Sequence, residues 1–153
     1  MFGMCFGHQL IAKALGGRIG KNPCGSYLFS CGNVTISQEF SSKRYFQEPF
    51  GTTRDNFYIF QSHNDQVIQK PKESVRAGWS PECANEVLSY GNHILTMQGH
   101  PEVSVDRMEN LTIPLIRSKG LITEARAKVV HKELVNENCN ELVTLITRFF
   151  QGM

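Results

Sequence analysis

The chain has 153 residues, 41% of them hydrophobic and 20% charged, with a net charge of +2. That length suits a single domain (1–153) with a real core, and the balance is ordinary for a soluble globular protein. The weak, evenly spread charge argues against nucleic acid, and no apolar run approaches the length that spans a membrane. The five cysteines, odd in number and without a C-x-x-C, argue against a disulfide framework or a zinc ribbon.

The N-terminus has no basic stretch leading into a long apolar core, so it is not expected to be a secretory signal. The expectation is a cytoplasmic protein with reduced thiols, in which the triplets at Asn33 and Asn110 are chance glycosylation matches. Met1–Met4 is short and apolar, like the end of a buried strand. From Phe6 to Leu15 the pattern turns helical, with Leu10, Ile11, Ala14 and Leu15 on one face. Gly16-Gly17 then stops the helix.

Residues 26–40 are polar and β-branched, with Val34 and Ile36 alternating, which predicts strands and turns. Residues 41–56 read as a loop. "FYIFQ" (57–61) reads as a strand running into a turn at "SHND" (62–65). "VRAGWS", "EVLSYG" and "HILTMQ" read as further strands, with Gly91-Asn92 as a hairpin turn between the last two. Beyond "GHPE" the pattern is helical. Val105, Met108, Leu111, Leu115 and Ile116 line one face, and Pro114 should kink or split that helix. Ala125, Val129, Val130 and Leu134 predict a second helix. Leu142, Leu145, Ile146, Phe149 and Phe150 predict a third, N-capped by Asn138 with Glu141 three residues on.

Cys5 lies on a predicted strand–turn–helix in a G-x-C-x-G frame. A thiol is a nucleophile only as thiolate. A helix N-terminus favours the anion, a sharp turn exposes the sulfur, and the N–H of Phe6 points where an oxyanion would develop. Gly3 and Gly7 would let the turn be tight and backbone approach closely. This is the cysteine counterpart of the G-x-S-x-G turn; the alternative is that Cys5 is a small buried hydrophobe. A nucleophile needs a base, and the base an orienting group. His100 stands in "QGHPE" with Glu102 two residues on, where a carboxylate could fix the tautomer; the alternative is a capping or surface histidine. Cys5 and His8 are three apart, but no other pair has zinc-like spacing, so no metal site is expected. "GGRIGKN" fails as a phosphate loop, because Leu15 replaces the first glycine and Asn22 the Ser/Thr. His131 reads as a surface residue.

Three segments together carry a family resemblance. "GMCFGHQLIAKALGG" resembles the nucleophile turn of class I glutamine amidotransferases, "SHNDQV" their Ser-His-Gly-Asp-type loop, and "QGHPE" their His-Pro-Glu segment, in the family's order. The details are similar to the branch that contains γ-glutamyl peptidases and GMP-synthase-like amidotransferases. The resemblance implies an α/β three-layer sandwich of flavodoxin-like class I glutamine amidotransferase fold. It implies that Cys5 attacks a glutamine γ-amide or γ-glutamyl carbonyl to form a thioester, with His100 as general base and then acid, and Glu102 orienting it. Phe6 N–H would be an oxyanion donor, Gln9 would hydrogen-bond substrate, and Ser62, Asn64 and Asp65 would line the α-amino and α-carboxyl end. Asn64 stands where the family has glycine, a mild departure because Asn tolerates unusual backbone angles.

The larger departure is at the N-terminus. The family has several strands and helices before the cysteine turn, including a glycine-rich loop that supplies a second oxyanion donor. The expectation is therefore a truncated chain lacking N-terminal strands, with an exposed sheet edge. Loss of one oxyanion donor typically costs about 10²–10³ in rate. Two functions stay open: a thiol hydrolase, alone or beside a synthetase partner, and a non-catalytic remnant serving as a binding or interaction module. Neither requires a cofactor.

Overall fold

β1 (Phe2–Met4) and β8 (Ile94–Met97) pair in parallel, Gly3 opposite Thr96, and from β8 a sheet grows away from β1. The structure is a computed structural model and describes residues 1–136 and 140–152. Six strands form the sheet in the order β1-β8-β7-β6-β3-β4, with β7 (Val87–Tyr90), β6 (Val75–Trp79), β3 (Leu28–Ile36) and β4 (Asn56–His63) joined antiparallel. Gly91, at φ 58°, turns β7 into β8 as the hairpin signal predicts. A separate two-stranded antiparallel ribbon joins β2 (Arg18–Lys21) to β5 (Asp65–Gln69).

Alternation along the strands puts apolar residues on both faces of the sheet. Val34, Ile36, Phe57, Ile59, Val87, Leu95 and Met97 face one core, closed by α2 (Gln38–Ser41), α3 (Arg44–Phe50) and α7 (Asn140–Gln151) through Phe40, Phe46, Leu142, Leu145 and Phe149. Phe29, Cys31 and Phe60 face the other, closed by Met108, Ile116 and Val130. These come from a π-helical turn (Met108–Thr112), α5 (Ile113–Ser118) and α6 (Glu124–Asn136), which follow the short α4 (Val105–Arg107). On that side α1 (Phe6–Ala14) and the ribbon pack Ile11, Ala12, Ile19 and Val67 over Leu88 and Tyr90. The result is the expected three-layer α/β sandwich, built on a mixed sheet with one parallel pair.

Several expectations need correction. Residues 41–56 are not a loop: α3 forms there, because Phe46 stacks on Phe50 and Tyr45 meets Phe149 of α7 edge-on. That aromatic burial outweighs the poor helix propensity of aromatics and the internal Pro49. Residues 62–65 are not a simple turn, since β4 continues to His63 and β5 begins at Asp65, so Asn64 alone carries the chain from one sheet to the other. In α1 the buried side chains are His8 and Ala12, whereas Leu10 is 55% and Leu15 50% exposed. The helix rests on β8 and the ribbon by one side only, and no described element covers the stripe of Leu10, Ala14 and Leu15. Leu111, Leu115, Val129 and Phe150 are likewise exposed. Pro114 acts as predicted in kind: the chain widens into a π turn before it and restarts as an α-helix with the proline in its first turn. The Asn138 cap that the sequence predicts lies outside the described residues, as does the side chain of Leu134.

Candidate active site

The strand-to-helix turn at Cys5 is the sharpest point of the backbone. Cys5 has φ 47° and ψ −107°, and among the described residues no other non-glycine has positive φ. L-residues enter that region only under constraint. The constraint is visible on both sides: Cys5 N–H donates to Met97 C=O at 2.9 Å, and Gln9 N–H donates to Cys5 C=O at 3.1 Å. Gly3 makes the turn possible, because a Cβ there would meet Ile11 Cδ1 at 2.6 Å and Gly7 C and O at 3.0 Å. The expectation for Gly7 does not hold in the same way, since a Cβ at Gly7 would meet nothing within 4 Å. Gly16 and Gly17 end α1 in a Schellman turn, donating to Lys13 C=O and Ala12 C=O.

His100 follows β8, the strand that pairs in parallel with β1. Its N–H donates to Phe60 C=O at 2.8 Å, which staples the segment after β8 onto β4. Gly99 permits that approach, because a Cβ there would lie 2.9 Å from Phe60 O and 2.8 Å from Ile59 Cγ1. His100 Nδ1 and Glu102 Oε1 are 2.8 Å apart. Nδ1 is thereby committed, leaving Nε2 for the Cys5 sulfur, to which the ring is also hydrogen-bonded. Burial would lower the pKa of His100, but hydrogen bonding and charge interaction with Cys5 and Glu102 outweigh it and push it up to about 10. For Glu102 burial works upward, and the hydrogen bond and charge of His100 still hold it below the ordinary carboxylate value. Cys5, His100 and Glu102, nearly a hundred residues apart in sequence, are thus brought into one line.

The remaining expected site residues lie around this line, and the side chains of Gln9, Ser62 and Asp65 are already engaged. Gln9 Nε2 donates to Asp65 C=O at 2.7 Å and to Gln98 Oε1 at 3.2 Å, so its amide nitrogen braces the site. Ser62 Oγ and Tyr27 OH are 2.8 Å apart. Asp65 pairs with Lys21 at 2.9 Å, and Asn64 C=O accepts from Asn22 N–H at 2.8 Å. Phe6 follows the turn at Cys5 with its side chain exposed. Three neighbours were not visible in the sequence. Gln98 Nε2 lies 3.8 Å from Cys5 Sγ. Tyr27 feels the charge of Cys5, although burial is the larger reason its pKa rises. His63 is buried and senses His100, and burial first of all pushes its pKa down to about 4. Gln98 stood inside the "QGHPE" string, yet nothing local distinguished it from a strand residue. No group of His, Cys, Asp and Glu able to hold a metal ion occurs among the described residues, and none of their helices is long and apolar enough to cross a membrane.

Comparison with known proteins adds to this geometry. The family model "Glutamine amidotransferase class-I" matches residues 1–114. Over 103 residues the chain is 35% identical to γ-glutamyl peptidase 2 of Arabidopsis thaliana, covering 67% of this chain and 39% of that protein. Over 105 residues it is 31% identical to one of the subunits of the glutamine-hydrolysing GMP synthase of Methanococcus aeolicus, covering 68% of this chain and 51% of that one. A glutamine amidotransferase of Thermotoga maritima shares the fold with a TM-score of 0.73 at 22% identity, over 97% of this chain and 61% of that one. The chain therefore spans about half, or less, of the length of these curated relatives.

Proposed function

The chain belongs to the class I glutamine amidotransferase family, and on that premise we propose that it is a thiol hydrolase of glutamine γ-amides or γ-glutamyl bonds. The observation that carries this reading is His100 held between the Cys5 sulfur and the Glu102 carboxylate. His100 takes the proton of the Cys5 thiol as the sulfur attacks the γ-carbonyl carbon. The C–S bond forms as the C=O π pair moves onto oxygen, and the Phe6 N–H donates to that oxyanion. The oxyanion collapses, the C–N bond breaks, and His100 gives its proton to the departing amine or ammonia. Water then attacks the thioester, losing its proton to His100, and the C–S bond breaks to release the γ-carboxylate. Glu102 keeps the imidazole in the tautomer and charge state that both steps need. Ser62, Asn64 and Asp65 line the α-amino and α-carboxyl end, largely through backbone, and Gln9 braces them.

Two branches of this reading differ in leaving group. Hydrolysis of a γ-glutamyl peptide releases an amine and needs no second protein; hydrolysis of glutamine releases ammonia, which a synthetase partner would consume. The names of the two relatives above support one branch each. Either branch suits a reducing compartment such as the cytoplasm, where the thiol stays free. A second reading, a non-catalytic interaction module, is favoured by one observation: among the described residues β1 pairs with β8 alone, and Met4 beside that edge and Phe6 after it are exposed.

Intact mass after exposure to a glutamine-like electrophile, with Cys5→Ala as control, separates the two. A single adduct that maps to Cys5 and vanishes in the control supports the hydrolase. Labelling of Cys5 by iodoacetamide, with none by the glutamine-like reagent, supports the interaction module. Release of ammonia from glutamine against release of amine from γ-glutamyl peptides then separates the branches.

A further inference from the structure

Glu86, at the head of β7, is 1% exposed and carries a carboxylate that the mechanism above does not use. Its side-chain hydrogen-bond partners among the described residues are all neutral. Gln61 Nε2 lies 2.9 Å from each carboxylate oxygen, and Ser80 Oγ donates to Oε1 at 2.8 Å. A carboxylate buried without a counter-ion is a costly choice where an apolar residue would pack as well. We propose that Glu86 is a positioning residue that sets the Gln61 amide and, through it, the His63 ring, and so holds the Ser62–Asp65 bend in place beside Cys5. This rests on the reading of that bend as the wall of the substrate site.

The connections are all local. Because Gln61 turns its NH2 toward Glu86, its Oε1 faces the other way, 3.0 Å from His63 Nε2. An oxygen there can only accept, so Nε2 of His63 must carry the proton. Nδ1 is then bare and buried, with the Asp65 backbone beside the ring offsetting part of the effect of burial. Gln61 and His63 share one face of β4, and Ser62 between them points to the other, where it meets Tyr27. Fixing both neighbours fixes Ser62. His63 is also the last residue of β4, so its ring anchors the point where Asn64 carries the chain into β5. The backbone of Glu86 joins the same site, since its C=O accepts from Gln98 N–H at 2.8 Å, and the Gln98 side chain reaches Cys5 and Gln9.

The arrangement couples a proton to a ring. Burial, opposed by Ser80 and Gln61 and reinforced by the charge of Glu82, pushes Glu86 up to about 7. The ionisable groups around it are Glu82 and Cys83 from the loop before β7, and His63 from β4 by way of Gln61. His63 in turn faces His100, Asp65 and His8. A protonated Glu86 must donate. If it donates to Gln61, the amide turns over, presents NH2 to His63 Nε2, and leaves the ring proton on Nδ1. The tautomer of His63 therefore reports the state of Glu86.

Long-range 1H–15N correlation spectra of the His63 ring test this on the full chain, recorded from about pH 5 to about pH 9. The wild type should show Nε2–H at high pH and a shift toward Nδ1–H as pH falls through about 7. In Glu86→Gln that step should vanish, the Ser62–Asp65 amide shifts should move, and labelling of Cys5 by a glutamine-like electrophile should slow about tenfold. Labelling by iodoacetamide should stay within about twofold, because access to the thiol is unchanged. If Glu86→Gln does not fold, the exchange Gln61→Glu with Glu86→Gln keeps the amide–carboxylate pair and should hold the ring at Nε2–H. An unchanged tautomer, pH step and Ser62–Asp65 spectrum in folded Glu86→Gln overturns the proposal, as does a ring free of the Nε2–H form in the exchanged pair. If the selective reagent labels neither wild type nor variant, the hydrolase reading fails while the ring and amide spectra still decide the role of Glu86.

Discussion

His100 holds its proton because its interactions with Cys5 and Glu102 outweigh its burial, and that balance can be dismantled one side at a time. Its side chain is 21% exposed, so solvent screens the contacts only in part. With a pKa raised from 6.5 to about 10, the ring stabilises the fold fully below pH 6.5 and loses that contribution as pH rises through about 10. Glu102→Gln removes the charge while keeping an amide oxygen that can accept from Nδ1, so the His100 midpoint should fall. Cys5→Ala with Glu102→Gln leaves burial as the main influence, and the midpoint should drop below 6.5. Ring 1H and 15N shifts against pH measure both; a midpoint that stays near 10 in the double variant would show that neither neighbour holds the proton. The residues of this line were legible in the sequence because each sits in a short contiguous string whose local geometry carries its chemistry: a turn for Cys5, a proline-stiffened link for His100 and Glu102. Tyr27, Gln61, Gln98 and Glu86 were not, because each acts across the sheet. Strand pairing that no local pattern specifies brings them to the site.

At the scale of elements, β1 and α1 meet so closely that the two glycines flanking Cys5 have different duties. Gly3 faces Ile11 and the Gly7 backbone, so an added methyl must push the helix off the strand. Gly7 faces open space within a helix. Gly3→Ala should therefore lose about 1–3 kcal/mol of stability through overpacking, and Gly7→Ala should gain up to about 1 kcal/mol from helix propensity. Urea unfolding of the two variants checks this, and equal effects would mean that the close approach is not what holds the turn. The same contrast explains which elements the sequence revealed. β6, β7 and β8 were legible because alternating apolar residues and a Gly91 turn speak for themselves. The ribbon of β2 and β5 was not, since "RIGK" is too short and polar to announce a strand without its partner. α3 was hidden because its reason for being helical is the aromatic stack against α7, a contact about a hundred residues away in sequence. The inward stripe of α1 was misread because the helix has cover on one side only, and the period of a sequence cannot say which side that is.

Across the whole molecule, buried titratable groups set opposing slopes for stability against pH. His8 is fully buried, with Nδ1 2.7 Å from Thr96 Oγ1, and burial, opposed in part by the Asn85 backbone, pushes its pKa down from 6.5 to about 3. His63 is pushed down to about 4. Below pH 6.5 the unfolded chain binds protons on both rings that the folded protein refuses, so stability falls as pH falls. Glu86 works the other way. Its pKa rises from 4.5 to about 7, so between those values the folded protein keeps a proton that the unfolded chain has lost, and stability falls as pH rises. His100 adds to that alkaline slope from pH 6.5 to about 10. The histidine pair outnumbers Glu86 on the acid side by about one proton, which is about 1.4 kcal/mol per pH unit near pH 5. Stability should therefore peak close to about pH 6 and decline on both sides. His8→Leu removes one of the two rings while leaving Thr96 its bond to Leu88 C=O, so it should flatten the acid limb nearly completely. Urea midpoints taken from about pH 4 to about pH 8 measure the curve. An acid limb of undiminished slope in His8→Leu would mean that the ring is already charged inside the folded protein, and that the helix carrying Cys5 is less dry beneath than its packing implies.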